Sequence, residues 1–499
     1  MLNDQVRDNV QRKTFWHRLI IKKFDAPAVI IFAALASLFV AFVIAREGYV
    51  MGAIILSVLI GLPVAYATVA YPKFGIATLI IISFFINYSS RFLPEPTPIG
   101  LLMDIWNYLL ILGVFIKMKN DKQWGYFNNP ITYFLLIWLG YNILEILNPV
   151  SPTILEWVYT VRTVAFIMLM YFVFLYQIRT KQFLRFLINL WLALDVIAAI
   201  SGIQQEFFNL LPFEKDWLFR DPDRFKLLFI AGHLRKWAIF SDPVVFAYNM
   251  VAGALLCIAL MFGPIRLSKK VMLGCMAALF IFVMLYTGTR ASYVLIPAGV
   301  GMLFILKLNR QIFLFSIICG LALAFLIRVP TSNPTLARFQ SAFKPSNDAS
   351  FEERARNQAR IKPYILAHPI GGGLGSVGIW GQRFAPDSYL AKFPPDSGYV
   401  RVAVELGWIG LLLYCIFNFV IMYNGIKYYY MIRDPELKTY CLAMILIIFA
   451  FDIGNYPQQA LVQYPSNILF FLAMAILNIT MRLDIAERKL KSPILKQSN

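Results

Sequence analysis

Residues 350–410 read SFEERARNQARIKPYILAHPIGGGLGSVGIWGQRFAPDSYLAKFPPDSGYVRVAVELGWIG. The stretch decides the fold by contrast with what surrounds it. It is polar, basic and glycine-rich, whereas the rest of the chain is largely a succession of apolar runs. Each run is about 20 residues long, enough to cross a hydrocarbon core of roughly 30 Å. Crossing a bilayer needs no polar sequence of this length, so any chemistry is expected here. Of the 499 residues, 59% are hydrophobic and 15% charged, where a soluble chain would have about 45–50% and about 25%. The mean hydropathy is +0.66. The reading is an all-α polytopic membrane protein.

The net charge of +19 does not point to nucleic acid. Lys and Arg fall in short clusters between apolar runs, as orientation signals do, and no aromatic-interleaved basic patch accompanies them. The five cysteines, Cys257, Cys275, Cys319, Cys415 and Cys441, are scattered within apolar runs. Neither disulfides nor a metal site is implied. With His17 in the basic arm, the remaining histidines, His233 and His368, are too few for a multi-histidine metal site.

About fourteen spans are predicted. Seven lie near 27–45, 50–71, 74–88, 98–117, 130–147, 157–177 and 182–203; seven more lie near 239–263, 271–288, 291–307, 311–328, 398–424, 437–453 and 463–481. The first apolar run is followed by Arg46-Glu47-Gly48 rather than a cleavage site, so it reads as a first transmembrane helix. A basic arm at 1–26 and a basic tail at 482–499 are placed in the cytoplasm. Alternate connections then carry the charge expected of the inside, such as Lys117/Lys119/Lys122 and Arg266/Lys269/Lys270. Two long polar segments, 204–238 and 329–397, fall together on the outer side and divide the membrane helices into 27–203, 239–328 and 398–481.

Within the large loop, Ser350 and Glu353 fit a capping box. The helix they open sets Glu352, Arg356 and Arg360 on one face. That face is either a solvated salt-bridged surface or, through Arg354, Arg356 or Arg360, a hold on an anionic ligand. The run from His368 through Gly371, Gly372 and Gly373 to Gly375 either stops the helix or forms an anion-binding nest of backbone N–H groups. His368 itself reads as a capping or packing residue. Arg162, Arg235 and Arg290 are all predicted at the outer leaflet, where a charge is costly without a partner. Three arginines at one depth suit a lipid pyrophosphate. Asp396 either caps the helix beginning near 398 or stands as a reactive carboxylate, and Glu405 is expected to pair with an arginine and lock its helix.

Four stretches together resemble the O-antigen ligase and polymerase superfamily of bacterial envelope glycosyltransferases. They are RKWAIFSDPVVFAY at 235–248, TGTRAS at 287–292, HPIGGGLG at 368–375 and DSGYVRVAVELGWIG at 396–410. The resemblance implies a GT-C-like architecture of about 12–14 helices with a large periplasmic loop, set in the bacterial inner membrane with a periplasmic active site. It implies an undecaprenyl-pyrophosphate-linked oligosaccharide as donor, a glycan acceptor, and transfer with no metal or cofactor. The family's essential arginines map onto Arg290 and Arg235. In ligases of the family a His-Asn pair stands where this chain has Asp396-Ser397, which leaves the general base open; a carboxylate can do the same work. The expected activity is polymerisation of lipid-linked repeat units of a surface polysaccharide, alone or beside a chain-length regulator. The alternatives are a ligase moving finished glycan to lipid A-core or protein, and a flippase or other transporter.

Overall fold

The computed structural model describes residues 27–93, 99–230, 232–343, 349–394, 396–459 and 461–495. The basic arm at 1–26 lies outside the described residues, as does Lys496. The chain divides into two compact units, 1–70 and 71–499. The first holds α1 (Pro27–Glu47) and α2 (Tyr49–Ala70), joined at Gly48, whose φ of +83° suits a residue without a side chain.

The second unit carries α3 (Pro72–Ser90), α4 (Gly100–Asp121), α5 (Pro130–Leu144), α6 (Ile154–Gln177) and α7 (Lys181–Phe207). Two short helices follow, α8 (Pro212–Arg220) and α9 (Pro222–Leu228). A small antiparallel hairpin, β1 (Phe229–Ile230) with β2 (His233–Leu234), completes the segment between α7 and α10. Then come α10 (Pro243–Met261), α11 (Leu267–Leu285), α12 (Arg290–Leu306) and α13 (Arg310–Arg328). The large loop contains α14 (Pro334–Ser341), α15 (Ala349–Ala367) and α16 (Ile379–Phe384), and the chain closes with α17 (Gly398–Glu405), α18 (Gly407–Met431), α19 (Pro435–Gly454) and α20 (Ser466–Leu495).

Among the described residues, eleven helices are long and apolar enough to cross a membrane, and α12 is a shorter apolar helix. Within a bilayer every backbone polar group must be satisfied internally, which is why the apolar runs fold as helices. Their starts are written locally. Asn129, Thr153, Thr180, Asp242, Asn309 and Asp434 each accept a backbone N–H from the first turn they precede. Proline stands in the first turn of α3, α5, α10 and α19. Helices α10, α19 and α20 are enclosed by their neighbours, whereas α13 is open along nearly its whole length. An all-round apolar helix can take either place.

Two predicted spans differ in the structure. The helix expected at 398–424 is two helices, broken between Glu405 and Gly407, because the glycine loop after α15 packs its backbone into the break. The helix expected to end near 481 continues to Leu495.

Candidate functional site

The glycine loop is built around Glu405. Its carboxylate accepts backbone N–H groups from Gly375 and Val377 and an Nε–H bond from Arg401 at 3.0 Å. Burial raises this carboxyl above the ordinary range, and Arg401 with the two amides pulls it back. The nest is therefore filled by the chain's own anion. Gly372 and Gly373 donate to the carbonyls of Val404 and Glu405, both at 2.9 Å. Gly371 (φ +75°) and Gly407 (φ +70°) meet backbone to backbone. A Cβ on Gly407 would lie 1.9 Å from the Pro369 carbonyl oxygen. An apolar cluster of Ile361, Val377, Leu390, Phe393 and Val404 fastens the rest of the loop.

Before α10, the segment at 204–238 is held by a buried ion pair. Arg91 pairs with Glu214 at 3.3 Å and donates to the carbonyls of Ala238 and Phe240, both at 2.7 Å. Gln205 adds a bond to Glu214 at 2.6 Å and accepts the Ala238 N–H at 2.9 Å. These contacts fix the segment that carries Arg235, directly after β2.

Arg235 then reaches the TGTR turn. Its Nε donates to the Thr287 carbonyl at 2.9 Å and a terminal nitrogen donates to Thr289 Oγ1 at 3.0 Å. Arg338, from α14, donates to the Gly288 carbonyl at 2.8 Å. Gly288 (φ +61°) lies between the two side chains: a Cβ there would stand 3.0 Å from Arg338 Nε and 3.2 Å from Arg235 Cγ. Arg290 opens α12 directly after the turn. Arg235, Arg290, Arg338 and Arg354 all line one cavity of about 890 Å³, with Tyr399, Asn418, Asp452 and Tyr456. Burial lowers Arg235 to about 10, with nearby Arg338 adding to the effect, so its guanidinium stays charged at neutral pH. Like charges gathered at one cavity favour an anion, and guanidinium matches phosphate oxygens geometrically.

The structure thus brings Arg235 and Arg290 together and leaves other candidates apart. Arg162 pairs with Asp104 of α4 at 3.2 Å and packs over Tyr159; it does not line the cavity. On α15 the cavity-lining residue is Arg354. Arg356 lies on the exposed face beside Glu352 at 3.6 Å, and Arg360 lies over the Phe393 ring. The helix begins at Ala349, and the side chain of Ser350 lies outside the described residues. His368 stacks on Tyr364 with ring centroids 4.0 Å apart and donates through Nδ1 to the Tyr364 carbonyl. That is a packing and capping arrangement at the helix end. Asp396 is exposed and outside the cavity lining. It does not cap α17; Ser397 does, accepting the Val400 N–H at 3.4 Å. Partial burial raises the Asp396 carboxyl, Arg354 lowers it and Glu353 raises it again.

The family model described as O-antigen ligase matches residues 275–415. An O-antigen polymerase of Salmonella muenchen is 23% identical over 345 residues, covering 65% of this chain and 82% of that protein. Both similarities support the O-antigen ligase/polymerase superfamily that the sequence motifs resemble. The segment matched to the superfamily contains Arg290, Arg338, Arg354 and Asp396, while Arg235 and Asp452 reach the same cavity region from outside it. Arg338 and Asp452 are the two residues that sequence reasoning missed. The signal for Arg338 was Asn333-Pro334, a helix start in a segment read as loop; Asn333 accepts the Thr335 N–H at 2.9 Å. The signal for Asp452 was a lone acid at the end of an apolar run. Among the described residues no group of three or more His, Cys, Asp or Glu is placed to hold a metal ion.

Proposed function

We propose that this chain is a membrane glycosyltransferase of the O-antigen ligase/polymerase superfamily that polymerises undecaprenyl-pyrophosphate-linked repeat units of a surface polysaccharide on the periplasmic side of the inner membrane. The observation that carries the reading is the convergence of Arg235, Arg290, Arg338 and Arg354 on one cavity. In the reaction an acceptor hydroxyl attacks the anomeric carbon of the donor sugar with inversion. The bond from that carbon to the pyrophosphate oxygen breaks, and the lipid pyrophosphate leaves with the electron pair. Charge grows on the departing pyrophosphate, where preorganised guanidiniums stabilise it most. A carboxylate takes the proton of the acceptor hydroxyl; Asp452 stands in the cavity wall, whereas Asp396 lies outside the cavity lining. A divalent cation is not needed in this account, since the arginines supply the positive charge.

The polymerase reading is preferred because the similar polymerase is covered over 82% of its length. The family model bears the ligase name, and a ligase would use the same donor chemistry with lipid A-core or protein as acceptor. Glycan accumulation in a strain lacking the protein separates them. Lipid-linked single repeat units are expected; unligated long polymer would mean a ligase instead.

A further inference from the structure

We propose that Asp452, rather than Asp396, takes the proton of the acceptor hydroxyl. The inference rests on the glycosyl-transfer reading above and assigns a residue within that site.

Asp452 lies near the end of α19 and lines the same cavity as the four arginines. Its Oδ1 is shut off from solvent and has no hydrogen-bond partner. No ion pair engages its carboxylate among the described residues, although four guanidiniums line the cavity it faces. A carboxylate kept for stability would be paired with one of them, because an uncompensated charge in such surroundings is expensive. Left unpaired, it can receive a proton. The backbone around it is fixed: Tyr399 donates its hydroxyl to the Asp452 carbonyl at 3.2 Å, and the neighbouring Gly454 carbonyl accepts Tyr248 Oη at 2.7 Å. The side chain is therefore held at the cavity wall, while the cavity, at about 890 Å³, has room for sugar between carboxylate and arginines.

The step balances. The acceptor O–H proton passes to a carboxylate oxygen of Asp452 as the acceptor oxygen bonds to the anomeric carbon, and the pyrophosphate leaves carrying its electron pair toward the arginines. Asp396 has no place in the cavity lining and acts at most at its rim, facing Arg354.

The test compares the full chain with D452N, D452E and D396N in membranes supplied with purified lipid-linked repeat units, measuring turnover against pH and binding of polyprenyl pyrophosphate. D452N is expected to lose about 10²–10⁴-fold in turnover while keeping binding. D452E is expected to recover part of it with a displaced pH profile, and D396N to stay within about tenfold of the parent on the scale of a rim contact. Turnover of D452N within a few-fold of the parent, or loss in D396N alone, would overturn the proposal. If D452N also loses binding, D452E decides: recovery supports the assignment, and lost turnover with intact binding refutes it. Failure of the unaltered chain to use the donor would instead count against the glycosyl-transfer reading.

Discussion

A single glycine shows how tightly the loop is joined to the membrane helices. Gly407 adopts a left-handed φ of +70° at the α17–α18 break, with the Pro369 carbonyl directly against it. A methyl group there meets both backbone strain and a clash. Gly407→Ala is expected to destabilise by about 2–5 kcal/mol, read as a lowered thermal midpoint in detergent. Unchanged stability would mean that the loop and the break are not in contact. Glu405 works alongside it: with Arg401 and two loop amides around its carboxylate, it secures the same junction from the side-chain end.

At the scale of elements, two pieces between the long apolar helices deliver Arg235 and Arg338. The segment with α8, α9 and the hairpin presents Arg235, and its anchor is the Arg91–Glu214 pair, both side chains at 0% exposure. Breaking a buried pair from one side leaves the other charge uncompensated. Arg91→Ala should therefore cost about 3–5 kcal/mol, with loss concentrated in 204–238 and seen as faster proteolysis there. Cleavage no faster than in the parent would show that the anchor is dispensable. The second piece is α14, eight residues long, whose Arg338 grips the Gly288 carbonyl. Without that helix the cavity would keep Arg235, Arg290 and Arg354 but lose the side chain that holds the turn before α12.

For the whole molecule, what could be read from sequence and what could not divide along physical lines. The apolar runs were legible because length and hydropathy determine a span in lipid, and caps such as Asp242 and Asp434 mark where helices begin. The superfamily was legible because its short motifs keep their order around one loop. The break at Leu406–Gly407 was not, since it depends on Pro369 and Gly371 of the glycine loop arriving against it in a packed turn. Nor could spacing separate Arg354 from Arg356, or Arg290 from Arg162. Which arginine faces a cavity and which meets a local partner such as Glu352 or Asp104 is settled by tertiary packing. Arg338 and Asp452 come from segments far apart in the chain, and only the fold brings them to the cavity.

The arginine-lined cavity is proposed to bind the donor pyrophosphate. Its most direct test is the affinity of the purified chain for polyprenyl pyrophosphate, compared between R338A and R356A. Removing one charged hydrogen-bond donor costs about 1.5–3 kcal/mol, so R338A should bind about 10- to 100-fold more weakly, while R356A, on the exposed face of α15, should bind as the parent does. Equal affinity for R338A and the parent, or a loss confined to R356A, would contradict the account.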